Sequence, residues 1–174
     1  MSQFAIFITR IIGHEGGYTA DPQDSGNWTG GAVGKGQLKG TKFGIAANTY
    51  PDLDIKNLTQ AQAVAIYERD FWKKPRIDQL PPAVGFQVLD ASINHGAKRA
   101  VQFLQRGLRV ADDGAIGPNT IAAAKAADPG ELINSILVQR EKLYRQHPKF
   151  GRFGKGWLNR LETNRKYAEQ DLRA

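Results

Sequence analysis

The sequence predicts a mainly α fold with a small β-hairpin lobe, and three observations predict it. Apolar residues recur at helical spacing in one segment after another, and Pro, Gly, Thr and Asp punctuate those segments where helix ends belong. One stretch alone, from Tyr18 to Ile45, breaks that rhythm, with six glycines between Ser25 and Thr41 and with Asp21-Pro22 and Asp24-Ser25-Gly26 as turn signals. At 174 residues, with 41% hydrophobic and 24% charged residues, the chain has the size and composition of one globular domain.

The elements follow in order. Phe4, Phe7, Ile8, Ile11 and Ile12 share a helical face over residues 3–13, and Gly16 and Gly17 supply the backbone freedom that ends the helix, which puts Glu15 at its C-terminal end. The glycine-rich stretch reads as loops and a β-hairpin. Thr59 and Gln62 have the spacing of a capping box ahead of Ala63, Ile66, Tyr67 and Phe71, and Pro75 stops that helix. After Pro81-Pro82 the apolar run to Leu108 is divided in two by Gly96. Pro118 suits a first helical position, and Asp128-Pro129-Gly130-Glu131 caps another helix carrying Leu132, Ile133, Ile136 and Leu137. A basic amphipathic segment closes the chain, from about Trp157 to Tyr167.

Composition narrows the chemistry. Without cysteine there is no disulfide framework and no thiolate nucleophile. The three histidines, His14, His95 and His147, lie far apart and outside any His-Glu-x-x-His pattern, so no metal site and no cofactor are expected. The surroundings of Gly34-Lys35 break the Walker pattern, no GxGxxG occurs, and no nucleophile elbow marks a Ser-His-Asp set. Arg10 interrupts the apolar N-terminus, so neither a signal peptide nor a membrane span is expected. The net charge of +7 gathers late: residues 140–174 hold ten Lys or Arg against four Asp or Glu, a net +6. Such a face attracts polyanions, whether nucleic acid, anionic lipid, or the acidic polymers and lipopolysaccharide of a bacterial envelope, and charge alone does not choose among them.

Two carboxylates stand out. At a helix C-terminus, carbonyl dipoles disfavour negative charge, and contact with aromatic rings strips hydration; both raise the pKa of Glu15 towards that of a general acid. The plainer alternative is a surface Glu at a loose helix end. Asp24 lies in a polar turn, Asp-Pro-Gln-Asp-Ser-Gly, and a protonated Glu with a polar-site Asp is the pair glycoside hydrolysis uses. Taken alone, Asp24 reads first as an Asx-turn residue.

Glu15-Gly16-Gly17-Tyr18, then Asp21-Pro22-x-Asp24-x-Gly26, then Gly40-Thr41-Lys42-Phe43-Gly44-Ile45 resembles glycoside hydrolase family 108, N-acetylmuramidases of phage endolysins and bacterial secretion systems. Asp90-Ala91-Ser92-Ile93-Asn94-His95-Gly96, Asp113-Gly114-Ala115-Ile116-Gly117-Pro118-x-Thr120 and Phe153-Gly154-Lys155-Gly156-Trp157-Leu158-x-Arg160 extend the resemblance, the last two stretches into the family's C-terminal peptidoglycan-binding region.

The resemblance implies a lysozyme-like helical domain over residues 1–174, with residues 1–95 catalytic and residues 96–174 a helical peptidoglycan-binding part packed on them. It implies a cleft between the hairpin lobe and the helices, and peptidoglycan as the partner. No nucleic acid is expected, and a monomer is. The bond cleaved would be the β-1,4 link between N-acetylmuramic acid and N-acetylglucosamine, with Glu15 as catalytic acid, Asp24 as base or negative charge, and Thr41 holding water. Thr29 is a rival for Thr41, and either is alternatively a plain strand residue. Tyr18, Trp28, Phe43, Tyr50 and Trp72 are candidates to stack on sugar rings, with Asn94 and Gln87 binding N-acetyl or hydroxyl groups. Against this, aromatics at helical spacing belong more often to a core, Trp72 first among them, and Asn94 and His95 suit a helix end. Synthesis in a bacterial, phage-infected cytoplasm and action on the wall in the periplasm are expected. A lytic transglycosylase and a non-catalytic wall-binding module are the alternatives.

Overall fold

The computed structural model describes residues 2–13 and 17–174, so Glu15, together with Met1, His14 and Gly16, lies outside the described residues. The chain forms two compact units, Met1–Arg69 and Asp70–Ala174.

In the first unit, α1 (Gln3–Ile12) starts where the Ser2 hydroxyl accepts from Ala5 N at 3.2 Å, and it buries Phe4, Phe7, Ile8 and Ile12. It ends earlier than the sequence suggests: Gly13, at φ 49°, is its C-cap and donates to Thr9 O at 3.0 Å, so the terminating glycine is Gly13 in place of Gly16 and Gly17. The loops that follow close on a two-stranded antiparallel sheet, β1 (Thr41–Lys42) and β2 (Ile45–Ala46), in the register Thr41 to Ala46 and Lys42 to Ile45. The hairpin tip, Phe43 (φ 51°) and Gly44 (φ 76°), has both central residues at positive φ, as a two-residue primed turn needs. A Cβ on Gly44 would strike the Tyr67 hydroxyl, which donates to Phe43 O at 2.9 Å and holds the tip down. Tyr67 comes from α2 (Gln60–Tyr67), whose capping box is complete: Thr59 Oγ1 accepts from Gln62 N, and Thr59 N donates to Gln62 Oε1 at 2.8 Å. Such a cap stabilises by about 1 kcal/mol.

Helical backbone continues from α2 as a π-helical stretch, Glu68–Lys73, and ends two residues before Pro75. The second unit is built around α3 (Pro82–His95), buried at every position from Ala83 to Ser92. Burial all round is what a helix enclosed by others requires, and α3 packs against α4 (Ala97–Leu108), α6 (Pro129–Arg145) and α7 (Phe150–Arg173), with α5 (Pro118–Ala126) beside α4. Gly96 (φ 86°) does divide α3 from α4, Pro118 does open α5, and Asp128 caps α6 by accepting from Glu131 N at 2.8 Å.

The last helix departs from expectation, starting at Phe150 and ending at Arg173, well outside 157–167. The glycines at 151, 154 and 156 hide its first turns from a propensity reading. Gly154 is buried, and a Cβ there would lie 2.6 Å from the Phe150 ring.

One carboxylate ties three helices together. Asp90 of α3, 2% exposed, meets Arg140 Nη1 of α6 at 2.8 Å, an ion pair without hydrogen-bond alignment. It also accepts from Arg160 Nη2 and Asn164 Nδ2 of α7, at 2.7 and 2.8 Å. Burial pushes the Asp90 pKa up, but the Arg140 charge and the Arg160 hydrogen bonds outweigh it and leave it below the ordinary 3.8. Arg140 is fully buried and Arg160 is committed to the same acid, so the basic face read from residues 140–174 is smaller than the sequence count.

Candidate active site

The glycine-rich lobe assembles around Asn27, a residue the sequence reading did not single out. Asn27 is fully buried, and every polar atom of it is used. Its Nδ2 donates to Asp21 O at 3.0 Å, its Oδ1 accepts from Thr41 Oγ1 at 2.7 Å, and its carbonyl accepts from Lys39 N and Gly40 N, each at 3.0 Å. Its own N–H donates to Asp24 O at 3.1 Å. A buried amide with these partners fixes the turn holding Asp24 to the strand holding Thr41. Nothing in an Asp-Ser-Gly-Asn sequence separates such a residue from an ordinary turn asparagine; only the fold buries it.

Asp24 caps the short 3₁₀ turn Ser25–Asn27: its Oδ1 accepts from Gly26 N at 2.9 Å, while Oδ2 has no partner among the described residues and the side chain is exposed. The Asx-turn geometry and a free carboxylate oxygen therefore coexist in one residue. Thr41 is half-buried, pairs through its backbone with Thr19 at 2.8 and 2.9 Å, and commits its hydroxyl hydrogen to Asn27, leaving the oxygen able to accept. Thr29 is used elsewhere: its Oγ1 accepts from Gln37 N at 2.9 Å, pinning the loop between Trp28 and Leu38.

The aromatic candidates take different parts. Tyr18 is 39% exposed, and its ring covers Gly40, where a Cβ would meet it at 2.7 Å. Tyr18 and Leu38 then wall an open groove of about 400 Å³, with Leu53 and Ile55 also apolar along it and Asp52 and Lys56 at its polar edge. Trp28 is half-buried and its indole donates to Pro22 O at 2.9 Å. Phe43 stands half-buried at the hairpin tip with Lys42 Nζ 5.5 Å from its ring centre. Tyr50 is half-buried after β2. Trp72 is 7% exposed, a core residue as its spacing implies. Asp54, exposed near the groove, has its pKa lowered by the side-chain hydrogen bond from Asn57 and then by the Asn57 N–H.

Asn94 and Gln87 belong to the second unit. Asn94 is exposed and turns its Nδ2 back onto Asp90 O at 2.7 Å, a helix-end role. Gln87 is a correction: it is fully buried, donates to Asn164 O at 3.0 Å, and has no access to a saccharide. His95 likewise stays inside the helical packing, accepting from Arg140 Nε at 3.2 Å. Among the described residues no group of His, Asp or Glu is placed to hold a metal ion, and no helix is long and apolar enough to cross a membrane.

The family described as Glycosyl hydrolase 108 matches residues 8–96, and one described as Predicted Peptidoglycan domain matches residues 99–162. No curated protein matches. Among solved structures, that of Brucella abortus SagA superposes with a TM-score of 0.82 at 31% identity, covering 98% of this chain and 96% of that one. The mainly α class with a small hairpin lobe is thus the class observed, and the two matches together make the protein a peptidoglycan-hydrolysing enzyme. The chain belongs to glycosyl hydrolase family 108.

Proposed function

We propose that the protein is a muramidase that hydrolyses the β-1,4 bond between N-acetylmuramic acid and N-acetylglucosamine. The observation that carries this reading is the Asn27 tie, which joins an exposed carboxylate, Asp24, to a hydroxyl, Thr41, whose only free function is to accept. In this scheme Glu15 protonates the leaving glycosidic oxygen, Asp24 Oδ2 takes the base or charge-stabilising role, and water donates to Thr41 Oγ1 and is held for attack. Thr41 is favoured over Thr29 because Asn27 connects it to the Asp24 turn. Tyr18 presents an apolar ring to the groove, as a sugar face needs. Trp28, Phe43 and Tyr50 are further proposed contacts to the glycan.

Exposed cations near the start of α7, Lys149, Arg152 and Lys155, flank the exposed Phe153 and would hold the enzyme, acting as a monomer, against an anionic envelope. The discriminating experiment is mass spectrometry of the products from purified sacculi. Hydrolysis leaves reducing muramic acid ends; anhydromuramic ends would make the enzyme a transglycosylase, and an intact glycan would leave only a binding module.

A further inference from the structure

Between Glu141 and Glu162 the chain carries six Lys or Arg and no Asp or Glu, across the end of α6 and the first turns of α7. We propose that this corner docks on the headgroups of an anionic phospholipid bilayer, with Phe153 entering the boundary between headgroups and acyl chains. The proposal rests on the reading of an enzyme held at an anionic envelope, and it commits that surface to lipid.

Two of the six cations are already paired, Arg160 with Asp90 at 2.7 Å and Arg145 with Glu141 at 2.8 Å. The other four, Lys142, Lys149, Arg152 and Lys155, are exposed and have no acidic partner among the described residues. Among them stands Phe153, 42% exposed. Its neighbours on the helix surface are Lys149, four residues before it, and Gly156, three after. The Arg152 guanidinium lies 5.1 Å from its ring centre. A Cβ at Gly156 would meet nothing within 4 Å, and Gly156 is not at positive φ, so neither packing nor backbone demands a glycine there. Its lack of a side chain leaves the Phe153 ring uncovered on that side.

The ring stands on a fixed base. Trp157 lies 5.9 Å from Phe153 between ring centres and stacks at 5.0 Å on the buried Tyr144, so Phe153 projects from an aromatic stack rooted in the helical packing. An apolar ring among unpaired cations has the chemistry of an interfacial anchor: the cations meet lipid phosphates, and acyl chains replace water around the ring. Other occupants match only part of it. A second copy of this face would set four unpaired cations against four. A nucleic-acid strand stacks successive bases on successive rings, whereas Phe153 is the one exposed Phe, Tyr or Trp among the described residues of this corner, Phe150 and Trp157 being half-buried. An acidic wall polymer would use the cations and leave the ring in water.

The test is co-sedimentation of the full chain with vesicles of phosphatidylethanolamine and phosphatidylglycerol, or of phosphatidylcholine alone. Wild type should pellet with the anionic vesicles and stay in solution with the neutral ones. The triple variant Lys149→Gln, Arg152→Gln, Lys155→Gln should bind the anionic vesicles on the order of 100-fold more weakly, and Phe153→Ser roughly 5- to 10-fold more weakly, with thermal melts confirming that both are folded. Phe153→Trp should bind as wild type does, and lipids brominated on their acyl chains should quench its fluorescence beyond that of wild type. Equal pelleting with both vesicle types, pelleting with neither, or no added quenching in Phe153→Trp would overturn the proposal. So would full binding by a folded Phe153→Ser, which would leave the cations acting alone. The vesicles hold no glycan, so failure of the muramidase reading would leave this result standing.

Discussion

At the scale of single residues, the catalytic assignment turns on how Thr41 is held. Its hydroxyl hydrogen goes to Asn27 Oδ1 at 2.7 Å, so the oxygen keeps one orientation and one job. Thr41→Val removes the acceptor and leaves Asn27 Oδ1 unpaired, whereas Thr41→Ser preserves both. The first should lower turnover roughly 10- to 100-fold and the second should remain close to wild type; steady-state turnover on sacculi, with denaturant melts to separate stability from chemistry, checks the pair. Equal activity of the Val variant would remove Thr41 from the mechanism. Motif order is enough to single out Asp24 and Thr41 as candidates from the sequence. Asn27 was not, because its role depends on a strand fourteen residues away closing over it. Gln87 failed for the same reason in reverse: α3 is enclosed on all sides, and a polar residue on it meets Asn164 before it meets solvent.

At the scale of elements, local chemistry was readable and packing was not. The Thr59 capping box, Pro118 at the start of α5 and the Asp128 cap are decided within four residues, and all form as read. Helix α7 was misjudged at its start because its glycines lower propensity while tertiary contacts sustain the helix. The hairpin tip depends on one glycine for two independent reasons, its φ of 76° and the Tyr67 hydroxyl above it. Gly44→Ala should therefore cost more than left-handed backbone strain alone, roughly 2 kcal/mol or more, read as a lowered denaturation midpoint. A change within about 0.5 kcal/mol would mean that the tip is not locked in this way.

At the scale of the whole molecule, the charged centre of the second unit predicts an acid limit to stability. Burial, then the Arg140 charge, pushes the His95 pKa down from 6.5 to about 4. Its neutral Nε2 is the acceptor for Arg140, so the fold resists protonation while the unfolded chain does not. Stability from this group is intact above about pH 6.5, falls as pH drops to about 4, and levels off below; the loss from Asp90 follows below 3.8. Because His95 is partly open to solvent, the first loss should be about 1–2 kcal/mol. Thermal melts of wild type and His95→Gln across pH 4–7 check this: Gln accepts without titrating and should flatten the profile, and an unchanged slope would move the acid sensitivity elsewhere.

The central claim concerns Glu15, and one paired measurement addresses it: turnover of purified sacculi by wild type and Glu15→Gln, alongside sedimentation of each protein with the same sacculi. Gln keeps the shape and removes the transferable proton, so hydrolysis should fall to background while both proteins pellet equally. Undiminished release of reducing muramic acid ends by the Gln variant would contradict the account.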